Sequence, residues 1–286
     1  MCDVSVVITC YNHEKYIEDC IKSVVCQKDI NFEIVIGDDC STDGTMRIIH
    51  DYKNKYPDII HIINRDHNVG MQQNMKECFN TCKGEFIAIC EGDDYWTSDR
   101  KLKIMYDIMI NDKNCLMCFN DINIDYEGVI NEHFTNEKEK LKDKIYVRNV
   151  LFPVNLIANF SCCMYRSDAV KNMSEVFYES KGADFLFNMF ILDNGYGRYI
   201  NEKLSSYRIH KSSQWSSLSE KSKAVNIIKM CFEYNHIFNN KYMDEFIDLS
   251  FNNIDKYIDD AISSYYNRKR PLKRLTRFFK KLKRFL

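Results

Sequence analysis

The amino-acid sequence predicts an α/β fold: a mostly parallel, doubly wound sheet flanked by helices, with a helical extension at the carboxyl end. Three observations predict it. Short Val- and Ile-rich runs alternate with amphipathic stretches about every 25 to 30 residues, the rhythm of βαβ units. The 286 residues, 45% hydrophobic and 28% charged, suffice for one large core with an appendage and exclude a disordered or fibrous chain. Three prolines and nine glycines are too few for long linkers or a many-turned β-sandwich.

Val4 to Thr9, Glu33 to Gly37, Ile59 to Ile63 and Glu85 to Cys90 read as strands buried on both faces. Between them, Tyr16, Ile17, Cys20, Ile21, Val24 and Val25 share one helical face after Asn12, a candidate cap. Asp43 and Thr45 open a second helix with Ile48, Ile49 and Tyr52, and Met71, Met75, Cys78 and Phe79 mark a third that ends near Lys83-Gly84. Further on, Ser161 to Tyr165, Tyr196 to Ile200 and Leu204 to Ile209 read as strands and Ala183 to Leu192 as a short helix. From about Ser219 to Tyr266 the pattern is helical.

Ligands of such sheets bind beyond the carboxyl ends of the strands. That rule lines up Thr9-Cys10-Tyr11-Asn12, Gly37-Asp38-Asp39, Asn64 to Gly70 and Glu91-Gly92-Asp93-Asp94 along one edge. Three carboxylates crowded after one strand repel each other unless a cation neutralises them, and a hard divalent ion with nucleotide phosphates would do so. The bland alternative is an exposed acidic turn. Asp38 and Asp39 offer acceptors for donors on a base or ribose, whereas Asp43 is equally well explained as a helix cap.

Together, Val6-Val7-Ile8-Thr9-Cys10-Tyr11-Asn12, Asp38-Asp39-Cys40-Ser41-Thr42-Asp43-Gly44-Thr45, Asn68-Val69-Gly70 and Glu91-Gly92-Asp93-Asp94-Tyr95-Trp96 with Asp99-Arg100-Lys101-Leu102 resemble the family 2 glycosyltransferases, which have the GT-A fold. The resemblance runs from Val4 to about Leu102, with weaker echoes to Trp215. It implies that Thr9 and Tyr11 line a base pocket with Tyr11 stacked on the base, that Asp39 accepts from the base, and that Asn68, Asn74 and Asp94 join the donor site. Glu91 and Asp93 fill the acidic D-x-D positions, with Asp93 the ligand of Mn2+ or Mg2+. Two departures stand out: Glu91 where the family usually has Asp, and Gln73-Asn74 where many members have Arg-Asn.

An acceptor hydroxyl must lose its proton as it attacks the sugar, and Asp184, at the start of an apolar helix, is the candidate base; the bland reading is a helix cap. His210 matches a position from which many GT-A enzymes complete the metal site, or is a lone surface histidine. Trp215 either stacks on an acceptor sugar or plugs the core. The expected domains are a GT-A catalytic domain over 1–215 (nucleotide-binding 1–110, acceptor-binding 111–215), a helical extension over 216–267 and a tail over 268–286.

That tail holds ten Lys or Arg and no acid, leaving thirty basic against forty-one acidic residues before it, about −11. Leu272, Leu275, Phe278, Phe279, Leu282, Phe285 and Leu286 form one stripe among the basic residues, as in a helix lying on an anionic membrane, where each basic residue contributes roughly 1 kcal/mol. The apolar stripe argues against nucleic acid as the partner. No run of about 18 apolar residues occurs. The odd count of thirteen cysteines and the missing signal pattern point to thiols in the cytoplasm; Cys115 and Cys118 have C-x-x-C spacing but no second pair.

The sequence-level expectation is thus an inverting transferase moving a sugar from a nucleotide-diphosphate donor, a UDP-sugar, to a glycan or lipid-linked acceptor in surface-polysaccharide synthesis, at the inner face of a membrane. A nucleotidyltransferase is disfavoured because Thr9 to His13 contains no Gly, Lys or Arg. A non-catalytic membrane-bound scaffold keeping the fold is the other alternative.

Overall fold

The computed structural model describes residues 2–132, 144–151, 155–180, 184–210, 215 and 217–267. The basic tail, 268–286, lies outside the described residues. Four strands run parallel in the order β3-β2-β1-β4: β1 (Val4–Cys10), β2 (Phe32–Asp38), β3 (Ile60–Ile63) and β4 (Phe86–Ile89). Helices α1 (Ile17–Val25), α2 (Thr45–Lys55) and α3 (Met71–Thr81) make the crossovers. The strand order reverses between β1 and β4, which opens a crevice at their carboxyl ends.

Alternation along the strands divides the core. Val4, Val6, Ile8, Ile34, Ile36, Phe86 and Ala88 pack with Ile17, Ile21 and Val24 of α1 and Ile49 of α2. On the other face α3 presses so close that a Cβ on Gly37 would stand 2.2 Å from Asn74 Oδ1 and 2.5 Å from Cys78 Sγ.

The sheet continues as a mixed half. After β5 (Tyr95–Trp96) and α4 (Lys101–Ile110) come β6 (Cys115–Tyr126), β7 (Val129–Glu132), α5 (Val147–Leu151), a 3-10 turn (Phe160–Cys162), β8 (Cys163–Arg166), α6 (Ser167–Lys171), α7 (Glu175–Glu179), α8 (Asp184–Asp193) and β9 (Tyr196–Ile209). The full order is β3-β2-β1-β4-β8-β6-β9-β5, with β7 on β6. β8 is antiparallel to β4 and β6, whereas β9 is parallel to β6 and brings its end back to the crevice edge.

Several local expectations change. Asn12 does not cap α1: its backbone is left-handed (φ 56°) and its Oδ1 accepts from the Thr42 amide at 2.8 Å, tying two edge loops together. Tyr196 to Ile209 is one strand, because the polar Asn201-Glu202 segment is a register shift in the pairing with β6 and not a turn. The strand read from Ser161 begins at Cys163, after the 3-10 turn. Cys115 and Cys118, three apart on β6, are both buried thiols that lie against different carbonyls, those of Met117 and Met105.

The chain divides into two compact units, Met1–Ser217 and a second that begins at Leu218. In the second, α9 (Glu220–Ile237) and α10 (Met243–Asn267) pack through Cys231, Tyr234, Phe246 and Leu249, with the Tyr234 and Phe246 rings 6.5 Å apart, edge to face. No described helix is long and apolar enough to cross a membrane.

Candidate active site

The crevice is closed at its floor by backbone pairing. The Gly92 amide donates to Thr9 O at 3.0 Å, so the acidic turn after β4 sits against the loop after β1. A Cβ on Gly92 would lie 2.7 Å from Cys10 Cβ and 2.8 Å from His13 Nδ1, which only glycine avoids.

Asp93 is the meeting point of that turn with the end of β9. His210 Nε2 lies 3.1 Å from Asp93 Oδ2, across 117 residues of sequence, and His13 Nε2 lies 3.9 Å from the same oxygen. The Tyr16 ring stacks on His210 at 4.5 Å. Burial raises the Asp93 carboxyl, but the hydrogen bond with His210 and the nearby His13 outweigh it and hold the group below its ordinary value. Burial lowers His13, against the opposing pull of the Asp93 charge.

Glu91 opens the turn, where its amide donates to Ser161 Oγ at 2.9 Å. Burial first, then the charges of Asp94, Asp93 and Asp184, push it well above the usual carboxylate range. Asp184 starts α8, where its Oδ1 accepts from the Phe185 amide at 2.8 Å. The helix dipole alone would lower this carboxyl, yet burial dominates and pushes it up to about 6.

Two expected donor contacts find other employment. Asp94 is 1% exposed, and its carboxylate accepts from Asn159 Nδ2 (2.6 Å), Ser161 Oγ (2.6 Å) and the Arg208 amide (2.8 Å). Burial and the Asp93 charge push it up to about 8 against those hydrogen bonds. Asn74 is 2% exposed and donates to Gly37 O at 2.8 Å, which braces α3 against β2. Both side chains are buried and already hold partners within the protein.

On the nucleotide side, Asp39 is also buried: its two oxygens accept from the amides of Val69 (2.7 Å) and Gly70 (2.9 Å), and Asn68 Nδ2 donates to its carbonyl at 3.0 Å. Asp38 is held by the amide and hydroxyl of Ser41. Thr9 is buried in β1, while Tyr11 and Trp215 are 46% exposed, with open faces able to stack on a ring. His13, Asp19 and Arg208 are site neighbours that sequence reasoning passed over; only the runs Asn12-His13 and Tyr207-Arg208-Ile209-His210 hinted at two of them.

Asp93 and His210 are the residues that could hold a divalent cation: a carboxylate oxygen and an imidazole nitrogen, now hydrogen-bonded at 3.1 Å, form a mixed donor pair that suits Mn2+ better than the oxygen-seeking Mg2+. Among the described residues no group of three or more His, Cys, Asp or Glu is arranged to hold an ion. The remaining ligands would therefore have to come from a bound diphosphate and water.

The family model for glycosyl transferase family 2 matches residues 5–174, more than half of the chain. The chain belongs to glycosyl transferase family 2. It is 34% identical over 116 residues to the putative teichuronic acid biosynthesis glycosyltransferase TuaG of Bacillus subtilis (strain 168), covering 41% of this chain and 45% of that protein. Uncharacterized mycobacterial relatives, 36% identical over 125 residues, are matched over 36% of their length, so the chain spans well under two thirds of these curated relatives. Its fold resembles S. aureus TarS 1–349 in complex with UDP-GlcNAc (TM-score 0.62, 21% identity, 81% of this chain and 66% of that one). It also resembles the mannosyltransferase PcManGT of Pyrobaculum calidifontis in complex with GDP-Man and Mn2+ (TM-score 0.60, 14% identity, 87% and 69%). At these identities the likeness speaks for the fold, which is GT-A.

Proposed function

We propose that this protein is an inverting, metal-dependent glycosyltransferase that moves a sugar from a nucleotide-diphosphate donor, a UDP-sugar, to a glycan or lipid-linked acceptor of a surface polysaccharide. One observation carries the reading: Asp93 and His210, from distant parts of the chain, converge at 3.1 Å beside Glu91 and the raised carboxyl of Asp184. Strand-end carboxylates of such different ionisation are what a reaction with separate charge-holding and proton-taking steps requires.

Asp93 and His210 would hold the cation, which when bound neutralises charge growing on the departing diphosphate. Tyr11 offers an exposed ring to the base, and the loop 68–70, fastened by Asp39, forms the wall beside it. Glu91, which feels the Asp184 charge, would hydrogen-bond a donor hydroxyl. Asp184 takes the acceptor's proton, and a carboxyl near 6 is ionised at neutral pH while remaining a stronger base than an ordinary aspartate. A single displacement with no covalent sugar intermediate inverts the anomeric centre. Trp215 supplies a platform for an acceptor sugar.

The donors printed for TarS and PcManGT and the polymer printed for TuaG support a nucleotide sugar and a surface glycan. The basic, apolar-striped segment 268–286 would hold the enzyme to an anionic membrane from the cytoplasmic side. Incubation with a panel of nucleotide sugars, with and without Mn2+, tests the reading. Metal-dependent release of a nucleoside diphosphate from one donor supports it, and release from none in the presence of acceptor extracts refutes it.

A further inference from the structure

We propose that Arg208 and Asp94 form a clasp that sets the spacing between Asp93 and His210, which makes both of them positioning residues of the site. The inference rests on the cation reading above and deepens it.

The clasp is reciprocal. The side chain of Asp94 accepts the backbone amide of Arg208 at 2.8 Å, and the guanidinium of Arg208 donates through Nη1 to the backbone carbonyl of Asp93 at 3.0 Å. Each side chain thus grips the other strand's main chain next to a candidate ligand: Asp94 directly follows Asp93, and Arg208 stands two residues before His210. The turn and β9 are far apart in sequence; β5 pairs with β9 at Tyr95–Ser206 and Trp96–Ser205, and these two hydrogen bonds extend that pairing to the residues beside the candidate ligands.

Both partners are locked from behind. Asp94 takes two more donors, Asn159 Nδ2 and Ser161 Oγ. Ser161 Oγ also accepts the Glu91 amide at 2.9 Å, and the Ser161 carbonyl takes Lys101 Nζ at 2.6 Å and Trp96 Nε1 at 3.0 Å. Arg208, 8% exposed, donates through Nη2 to Asp19 Oδ2 at 3.1 Å and has Nε 3.6 Å from Asp125 Oδ2. Its guanidinium lies 5.1 Å from the Tyr16 ring, which stacks on His210, so Arg208 also steadies the imidazole through Tyr16. A buried ion network of this kind adds little net stability over apolar packing but defines geometry. Groups behind a metal ligand typically change metal affinity about 10- to 100-fold when lost.

Arg208→Lys keeps the charge but cannot span the same acceptors, and Asp94→Asn keeps the shape but sets an NH2 against one of three donors. The experiment is calorimetric titration of Mn2+ into full-length protein with UDP, alongside UDP binding in EDTA and thermal melting. Both variants should weaken Mn2+ binding about 10- to 100-fold while UDP affinity in EDTA stays at the wild-type value. Should Arg208→Lys fail to fold, Asp94→Asn decides. If Mn2+ affinity is unchanged, or metal-free UDP affinity falls in equal measure, the residues are merely structural and the clasp is overturned. Wild-type protein that binds UDP but no Mn2+ overturns the cation reading together with the clasp, an outcome distinct from normal wild-type binding with unaffected variants.

Discussion

The chain contains the tripeptide Gly-Asp-Asp twice, as Gly37-Asp38-Asp39 at the end of β2 and as Gly92-Asp93-Asp94 after β4. Both stand at the same sheet edge, and in both the glycine admits a neighbour that a Cβ would strike. Their carboxylates are treated differently. In the first turn Asp38 and Asp39 are occupied by the Ser41 amide and hydroxyl and the amides of Val69 and Gly70. In the second, Asp94 is similarly occupied, but Asp93 faces two imidazoles with Glu91 close by. Backbone amides turn an acidic turn into scaffold, whereas histidines leave a carboxylate that a cation can use.

Substitutions should separate the two turns. The largest effect is expected from Asp93→Asn, which should reduce transfer by about 10²- to 10³-fold or more and remove metal-dependent donor binding, measured by product release and Mn2+ titration. Asp184→Asn should lower the rate at saturation about 10²- to 10⁴-fold with donor affinity kept. In the wild type, because Asp184 acts as the ionised base and titrates at about 6, the rate should fall as pH drops through about 6. A flat acid limb would return Asp184 to the role of a helix cap. His210→Ala should weaken Mn2+ about tenfold or more while sparing metal-free nucleotide binding.

The first turn should answer through the nucleotide alone. Asp39→Asn sets an NH2 against the Val69 or Gly70 amide, a loss of about 1–3 kcal/mol. Nucleotide affinity should fall roughly tenfold with no change in Mn2+ dependence. The smallest effect on chemistry is expected from removing 268–286: co-sedimentation with anionic vesicles should be lost, while transfer to a soluble acceptor and the melting temperature persist.

The first half of the fold was legible because β1, β2 and β4 are largely apolar, as buried parallel strands require, while β3, at the sheet edge, is only partly buried and carries His61. The mixed half was legible only in part: β8, α8 and β9 showed in the sequence, whereas β6 did not. In β6, Asn120, Asp121, Asn123 and Asp125 interrupt the apolar pattern, and three register shifts break its pairing with β9. The site divides likewise. Asp93, Glu91 and Asp184 announce themselves as acids at element ends, whereas Arg208 draws meaning from Asp19, 189 positions away, and from an Asp93 carbonyl that no motif displays. The protein partners of Asn74 and Asp94 were equally hidden, because burial and partner count cannot be read from a motif.

Of the two identical tripeptides, only the second is proposed to hold a cation against a nucleoside diphosphate. The most direct test is Mn2+ binding, followed by electron paramagnetic resonance in the presence of UDP, for the wild type, Asp39→Asn and Asp93→Asn at UDP concentrations that saturate each. The account predicts bound Mn2+ in the wild type and in Asp39→Asn and free Mn2+ in Asp93→Asn. Undiminished binding in Asp93→Asn, or a loss confined to Asp39→Asn, would contradict it.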